Sequence, residues 1–459
     1  MIIDQSRRAF LKRSAALGLM GTAAPFALNL AGIGEAAAST ATDYKALVCI
    51  FLYGGNDYAN TLTPYDTGSY TAYQSLRSNI AYARSDLAAT VLNPATPLAG
   101  GLQYALAPAL APLLSTFDAG KLAVMLNVGT LIQPTTKAQY LAKSVPLPPK
   151  LFSHNDQQSF WQASSPEGAT SGWGGRMGDL FQAGNGTASV TCINTAGNAV
   201  FLTGKAATQY SITSAGPIAL SGNTSLYGSA TASSVLKAMI TAPRPQIIEN
   251  EQTRVTKRSL DLFNQVTAAL AAGPAIATPS PAGNPLADQL RIVARMISVA
   301  QELGAKRQVF FVSAAGSFDL HSNLVTAHPP LLAQVANAMK AFYDTTVELG
   351  VADRVTAFTA SDFGRTLVSN ATNGADHGWG SMHFALGGAV KGKKLYGASP
   401  VYANNGPDDV GQGRLVPTMA VDQYAATLAS WFGVSDANLP TVLPYIGNYT
   451  ASARNVGFV

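Results

Sequence analysis

The sequence predicts an α/β fold with a mainly parallel central sheet and helices on both faces. Three observations carry this. Continuous apolar runs of strand length recur along the chain, stretches with helical spacing lie between them, and the first run empties into Gly54-Gly55-Asn56-Asp57. A run that is apolar at every position belongs to a strand buried on both sides. Strand alternating with helix is the pattern of parallel crossover connections.

The first element in chain order is an address. Ser6-Arg7-Arg8-Ala9-Phe10-Leu11-Lys12 is a twin-arginine pattern, an apolar stretch follows over residues 15–31, and Ala36-Ala37-Ala38-Ser39 supplies the small residues that suit cleavage after Ala38. Residues 1–38 are therefore expected to be a signal peptide handled by the twin-arginine translocation machinery, with the mature chain periplasmic or secreted. Gly18, Gly21, Pro25 and Gly32 interrupt the apolar stretch, so no stable membrane span is expected after cleavage. Export of an already folded chain suits a protein that takes up a metal or cofactor in the cytoplasm.

Residues 1–38 carry four basic side chains (Arg7, Arg8, Lys12, Arg13) and two acidic ones (Asp4, Glu35). Of 30 basic and 25 acidic residues, 26 and 23 remain in the mature chain, a net charge of about +3. That balance, with no basic run interleaved with aromatics, excludes a nucleic-acid binder. A 47% hydrophobic content with 12% charged residues marks a globular chain with a large core. Residues 39–459 read as one domain with a loop and helical insertion around 205–285. Cys49 and Cys192 lie in apolar, β-branched runs and read as buried thiols, with a single disulfide as the alternative.

The predicted strands are residues 46–53, 122–128, 189–194, 199–203, 309–314, 355–360 and 384–390. Helical spacing covers 105–117, 175–182, 233–272, 285–303, 330–349 and 421–432. Residues 211–234 and 273–285 are rich in Ser, Gly, Thr and Pro and read as loops.

Polar groups sit near the ends of the strands. They are Asn56-Asp57, Ser153-His154-Asn155-Asp156, Phe318-Asp319-Leu320-His321, Ser361-Asp362-Phe363-Gly364-Arg365, and Asp376-His377 through His383. A parallel sheet gathers its strand-end loops at one edge. Carboxylate mixed with imidazole suits zinc, manganese or iron, metals that polarise a phosphoryl or carbonyl oxygen and activate water. For any one pair the plain alternative is a turn or loop-capping hydrogen bond. Arg365 and Arg176, each beside glycine, could clamp an anionic ester or form structural ion pairs. Trp173 and Trp379 read as packed core rather than cleft lining, and His328 as a helix-entry residue.

The segments Phe-Leu-Tyr-Gly-Gly-Asn-Asp-Tyr-Ala-Asn-Thr (51–61), Ser-Gly-Trp-Gly-Gly-Arg (171–176), Phe-Asp-Leu-His (318–321), Ser-Asp-Phe-Gly-Arg-Thr (361–366) and Asp-His-Gly-Trp-Gly (376–380) follow the signal in that order. The chain thereby resembles the exported domain of unknown function family 1501 over essentially the whole mature length. That family resembles the alkaline phosphatase and sulfatase superfamily in fold, which implies a metal site at the carboxyl edge of the sheet. By this resemblance Asp57, Asp319, His321, Asp376 and His377 are metal ligands and His383 a late histidine ligand, with Asp362 and Asp376 as alternatives for one position. Ser153 is the nucleophile candidate, ahead of Thr61 and Ser361, or else the N-cap of the helix that follows. The implied activity is metal-dependent hydrolysis of a phosphate or sulfate ester, small or polymeric. The alternative is a secreted binding or surface-assembly protein on the same fold, since fold does not settle function.

Overall fold

The structure, a computed structural model, describes residues 43–459. The Arg7-Arg8 signal and the Ala38 cleavage site lie outside the described residues. The strands in chain order are β1 (Lys45–Leu52), β2 (Leu62–Pro64), β3 (Tyr104–Leu106), β4 (Leu122–Gly129), β5 (Cys192–Asn194), β6 (Gln209–Thr213), β7 (Gly216–Pro217), β8 (Arg307–Ser313), β9 (Val355–Ser361), β10 (Arg365–Ser369), β11 (Ala375–His377), β12 (Ser381–Gly387), β13 (Lys394–Tyr396) and β14 (Met419–Ala420).

The main sheet has the order β13-β4-β12-β9-β1-β8-β5-β6-β7, with β14 also beside β4. β1 at its centre runs parallel to both neighbours, so that Val48 faces Phe310 on one side and Ala357 on the other. β12 is antiparallel to β4 and β9, which makes the sheet mixed but mainly parallel. β10 and β11 form a separate hairpin, and β2 and β3 a separate two-stranded antiparallel sheet.

Alternation along β1 divides the core in two. Ala46, Val48, Ile50 and Leu52 pack on one face with Leu290 and Val293 of the helix Pro285–Ser298 and Val335 and Met339 of the helix Leu324–Glu348. Leu47, Cys49 and Phe51 pack on the other with Met177 and Leu180 of the helix Trp173–Phe181 and Tyr424 and Leu428 of the helix Val421–Phe432. Side chains at successive strand positions point to opposite faces, so a strand apolar throughout requires cover on both. The sheet thus has the predicted architecture. Among the described residues no helix is long and apolar enough to cross a membrane.

Several elements differ from expectation for local reasons. Residues 199–203 form a short 3₁₀ turn (Val200–Leu202) instead of a strand. Residues 105–117 divide into β3, a 3₁₀ turn over Pro108–Leu113 and a helix over Leu114–Asp118, because Pro108 and Pro112 lack the N–H a regular helix needs. Pro243 and Pro245 split residues 233–272 into helices Ala230–Thr241 and Ile247–Ala272. Within 211–234, the end of β6 and all of β7 add to the sheet edge. Cys49 and Cys192 are free, buried thiols, each pushed up by burial.

The carboxyl ends of β8, β1 and β9 are adjacent in the sheet, so the loops after them meet. Gly54 shows how closely. Its φ of +105° is open to glycine, and a Cβ there would collide with the backbone N of Asp319.

Candidate functional site

Four side chains from three segments converge at this edge. His154 opens the helix His154–Ala163, Asp319 and His321 follow β8, and His377 ends β11 opposite Arg365 of β10. His377 Nε2 lies 3.1 Å from His154 Nε2 and 2.9 Å from His321 Nε2. Asp319 Oδ1 lies 3.4 Å from His154 Nε2, 3.1 Å from His321 Nε2 and 3.4 Å from His377 Nε2.

The other nitrogen of each ring fixes what these Nε2 atoms present. His154 Nδ1 is 2.6 Å from Asp362 Oδ2, His321 Nδ1 is 2.9 Å from Asp376 Oδ1, and His377 Nδ1 is 2.7 Å from the carbonyl oxygen of Phe152. A carboxylate or carbonyl oxygen only accepts, so each Nδ1 carries the proton and each neutral ring turns a lone pair inward at Nε2. Three lone pairs and a carboxylate oxygen then face one another. Among the described residues the donors reaching them belong to Arg365, whose Nη2 binds Asp319 and whose Nη1 is 3.4 Å from His321 Nε2. Such a group repels itself unless a proton or a cation sits inside it.

The supports are built into the backbone. Asp362 is fully buried and also accepts from Gln158 Nε2 (2.8 Å) and the Gly54 N–H (3.2 Å). Phe152 has φ +74°, a costly conformation for a bulky residue, and that turn aims its carbonyl at His377. Arg365 is 1% exposed and donates to the carbonyls of Gly54, Gly55, Phe318 and Ala375 as well as to Asp319. It ties the loops after β1 and β8 to the β10–β11 hairpin and leaves no open fork for a ligand.

Electrostatics distinguish the rings. The hydrogen bond to Asp362 raises His154 above the ordinary histidine value despite partial burial. Burial lowers His377, and the nearby Arg365 and other histidines add to the effect. Burial alone would raise Asp319, but its ion pair with Arg365 prevails and holds the carboxyl below its usual value. In the metal-free protein an extra proton therefore rests on His154 in preference to His377.

The donor set fits a divalent metal. Bonds of about 2.0–2.1 Å from nitrogen or oxygen to a tetrahedral centre imply edges of about 3.3 Å between ligand atoms, against the 3.1 to 3.4 Å found among His154, Asp319 and His377. Imidazoles whose far nitrogens donate to carboxylate or carbonyl oxygens are the supporting arrangement metal sites use. His154, Asp319 and His377 alone place ligand atoms within 4.8 Å of one another.

The remaining sequence candidates stand elsewhere. Asp57, 1% exposed, pairs with Arg77 Nη2 at 2.6 Å and accepts the Asn60 N–H, so both its oxygens are engaged away from the cluster. His383 is buried beside Trp161 and Tyr424, 3.4 Å from Thr359 Oγ1. Asp362 and Asp376 touch the rings rather than the centre. Ser153 is the N-cap of the helix His154–Ala163, and its Oγ donates to Asp156 at 2.9 Å. The Thr61 and Ser361 hydroxyls donate to the carbonyls of Asp57 and Leu52. Arg176 binds the carbonyls of Val442, Ser171 and Ala163. Trp173 and Trp379 are buried and donate to the carbonyls of Trp161 and Thr130. His328 lies inside its helix, fully buried, 2.9 Å from Asn56 Oδ1. The residue sequence reasoning did not assign to the metal is His154. Its signal was a histidine at a helix start in one of the five polar loops.

Residues 44–439 match the family described as Protein of unknown function (DUF1501), and the chain belongs to that family. None of the curated proteins matches it. Among solved structures it is similar to Ps i-CgsB in complex with k-i-k-neocarrahexaose, at 8% identity over 89% of this chain and 77% of that one, TM-score 0.36. It is also similar to the lipoteichoic acid synthase LtaP from Listeria monocytogenes (8% identity, 89% and 78% covered, TM-score 0.33) and to the C-terminal periplasmic domain of EcEptC from Escherichia coli (12%, 88% and 87%, TM-score 0.33). Likeness at these scores assigns no role to any residue here.

Proposed function

We propose that this protein is an exported, metal-dependent hydrolase of phosphate or sulfate esters, acting in the periplasm or outside the cell. One observation carries the reading: three imidazole lone pairs and a carboxylate oxygen face one another at the carboxyl edge of the sheet, where a cation relieves their repulsion. His154, Asp319, His321 and His377 would hold the ion, and a nitrogen-rich set with one carboxylate suits zinc, iron or manganese. Bound there, a divalent metal supplies Lewis acidity and an activated water.

The chain's own residues do the rest. Asp362, Asp376 and the Phe152 carbonyl keep the Nδ1 protons in place, and Arg365 fixes Asp319. The side chains of His321, Asp319 and Asp376 are 45%, 36% and 39% exposed, so the cluster opens to solvent on that side. A substrate reaches it without displacing core residues.

A non-catalytic secreted binding protein is the second reading. The engagement of the Ser153, Thr61 and Ser361 hydroxyls in internal hydrogen bonds favours it. Elemental analysis of the protein purified from the exported fraction, beside His377→Ala, separates the two. Near-stoichiometric metal that is lost in the variant, with turnover of aryl phosphate or aryl sulfate, is the expected result. Absence of metal from both proteins makes the binding protein the better description. Replacing Arg7 and Arg8 by Lys tests the export route: the protein should then stay in the cytoplasmic fraction.

A further inference from the structure

We infer that Arg414 is the residue that receives the anionic group of the ester, a tetrahedral phosphate or sulfate oxyanion held beside the histidine cluster. The inference rests on the hydrolase reading and names the substrate contact which that reading lacks. An anion drawn to this edge meets three carboxylates, Asp319, Asp362 and Asp376, and needs a cationic side chain as well as a metal. Arg365, the sequence candidate for that role, is buried with its donors turned onto carbonyls and Asp319.

Arg414 is arranged in the opposite way. Its Nε donates to the carbonyl of His377 at 2.9 Å, which places the guanidinium next to a cluster residue. Its carbon centre lies 5.1 Å over the ring of Phe152, the residue whose carbonyl supports the same histidine. Its Nη1 makes only a 3.4 Å contact with the Gly411 carbonyl, and among the described residues Nη2 donates to no protein atom. The residue is half-buried. A planar fork, anchored through Nε and resting on an aromatic face, presents its free edge in a fixed orientation, which is how arginine recognises tetrahedral oxyanions.

The backbone that carries Arg414 is equally fixed. Buried Asp409 accepts the N–H groups of Asn405, Gly411 and Gly413, each at 2.7 Å. The N–H groups of Leu367 and Val368 on β10 donate to the carbonyls of Gly413 and Gln412. The loop is thus docked on the strand that carries Arg365.

Arg414→Gln tests the inference, because glutamine Nε2 occupies the position of arginine Nε and can keep the bond to His377 while the charge and the Nη donors are lost. Zinc-loaded wild type and variant are titrated calorimetrically with inorganic phosphate and, separately, sulfate, and assayed with an aryl phosphate, an aryl sulfate and a neutral aryl carboxylate ester. The expected result is unchanged metal content, oxyanion affinity about 10- to 100-fold weaker, KM raised by a similar factor for the anionic ester that is turned over, and little change for the neutral ester. Preferential loss for phosphate or for sulfate identifies the anion. Loss of metal in the variant, or equal losses for anionic and neutral esters, overturns the inference in favour of a positioning role at His377. Equal oxyanion affinity in both proteins also overturns it. If wild type turns over no ester but binds oxyanion through Arg414, the hydrolase reading fails and the anion site stands.

Discussion

Two polar groups lie side by side at the end of β1, made of the same residue types and behaving oppositely. In one, Asp57 meets Arg77, and Asn56 meets His328 and Thr61, so nearly every acceptor has its donor. In the other, His154, His321, His377 and Asp319 turn acceptors toward each other. The first group is closed and structural; the second leaves facing acceptors that a proton or a cation would satisfy. What separates a ligand from a structural carboxylate here is the partner each one finds, and Asp57 finds a guanidinium 20 residues away.

The largest effect expected from this contrast is in the closed group. Arg77→Met leaves the Asp57 charge buried without a partner, and breaking a buried pair in this way costs about 3–5 kcal/mol. Urea unfolding should show that loss, while metal stoichiometry in the folded fraction stays at the wild-type value. Metal loss without destabilisation would place Asp57 in the cluster after all.

Acid should also strike the closed group. Burial pushes His328 down to about 4 from an ordinary value of 6.5. The folded chain therefore binds fewer protons than the unfolded one between those values, and stability present above pH about 6.5 is lost as the pH falls toward 4. A shift of that size corresponds to on the order of 3 kcal/mol. His383, pushed down to about 3 by burial, adds a similar slope. His328→Gln should lessen the steepness in a plot of unfolding free energy against pH between about 4 and 6.5, and an unchanged slope would count against a neutral buried His328.

These two predictions also mark what the sequence could reveal. The strands were legible because runs such as residues 46–53 and 355–360 are apolar at every position, and only a sheet covered on both faces can bury them. The gathering of Asp319, His321 and His377 at one edge follows from the same pattern. His154 was visible as a polar residue but not as a ring turned inward, because its orientation depends on Asp362, 208 residues later. The contributions of Phe152 and Arg414 are written in a backbone angle and a carbonyl contact, neither of which has a residue signature. Residues 105–117 misled for a different reason: the apolar spacing was helical, and Pro108 and Pro112 overrode it.

In the open group the supporting carboxylates set a graded test. Asp362→Asn removes the charge behind His154 in a fully buried position, and loss of such a partner lowers metal affinity about 10–100-fold. Asp376 is 39% exposed, so solvent replaces part of its role and Asp376→Asn should fall at or below the lower end of that range. Competition with a chromophoric zinc chelator measures both. Equal effects would mean that burial does not govern how strongly each carboxylate holds its ring.

The smallest effect expected is at Ser153. Its Oγ donates to Asp156 at 2.9 Å, and it caps the helix without a side-chain bond to a backbone N–H. Ser153→Ala should therefore cost about 1 kcal/mol in urea unfolding, the value of one partly buried hydrogen bond, and leave metal content and ester turnover within about twofold of wild type. The hydroxyl stands immediately before His154, so the same variant decides its chemistry: a thousandfold fall in turnover at full metal content would move Ser153 from the closed kind of residue to the reacting kind.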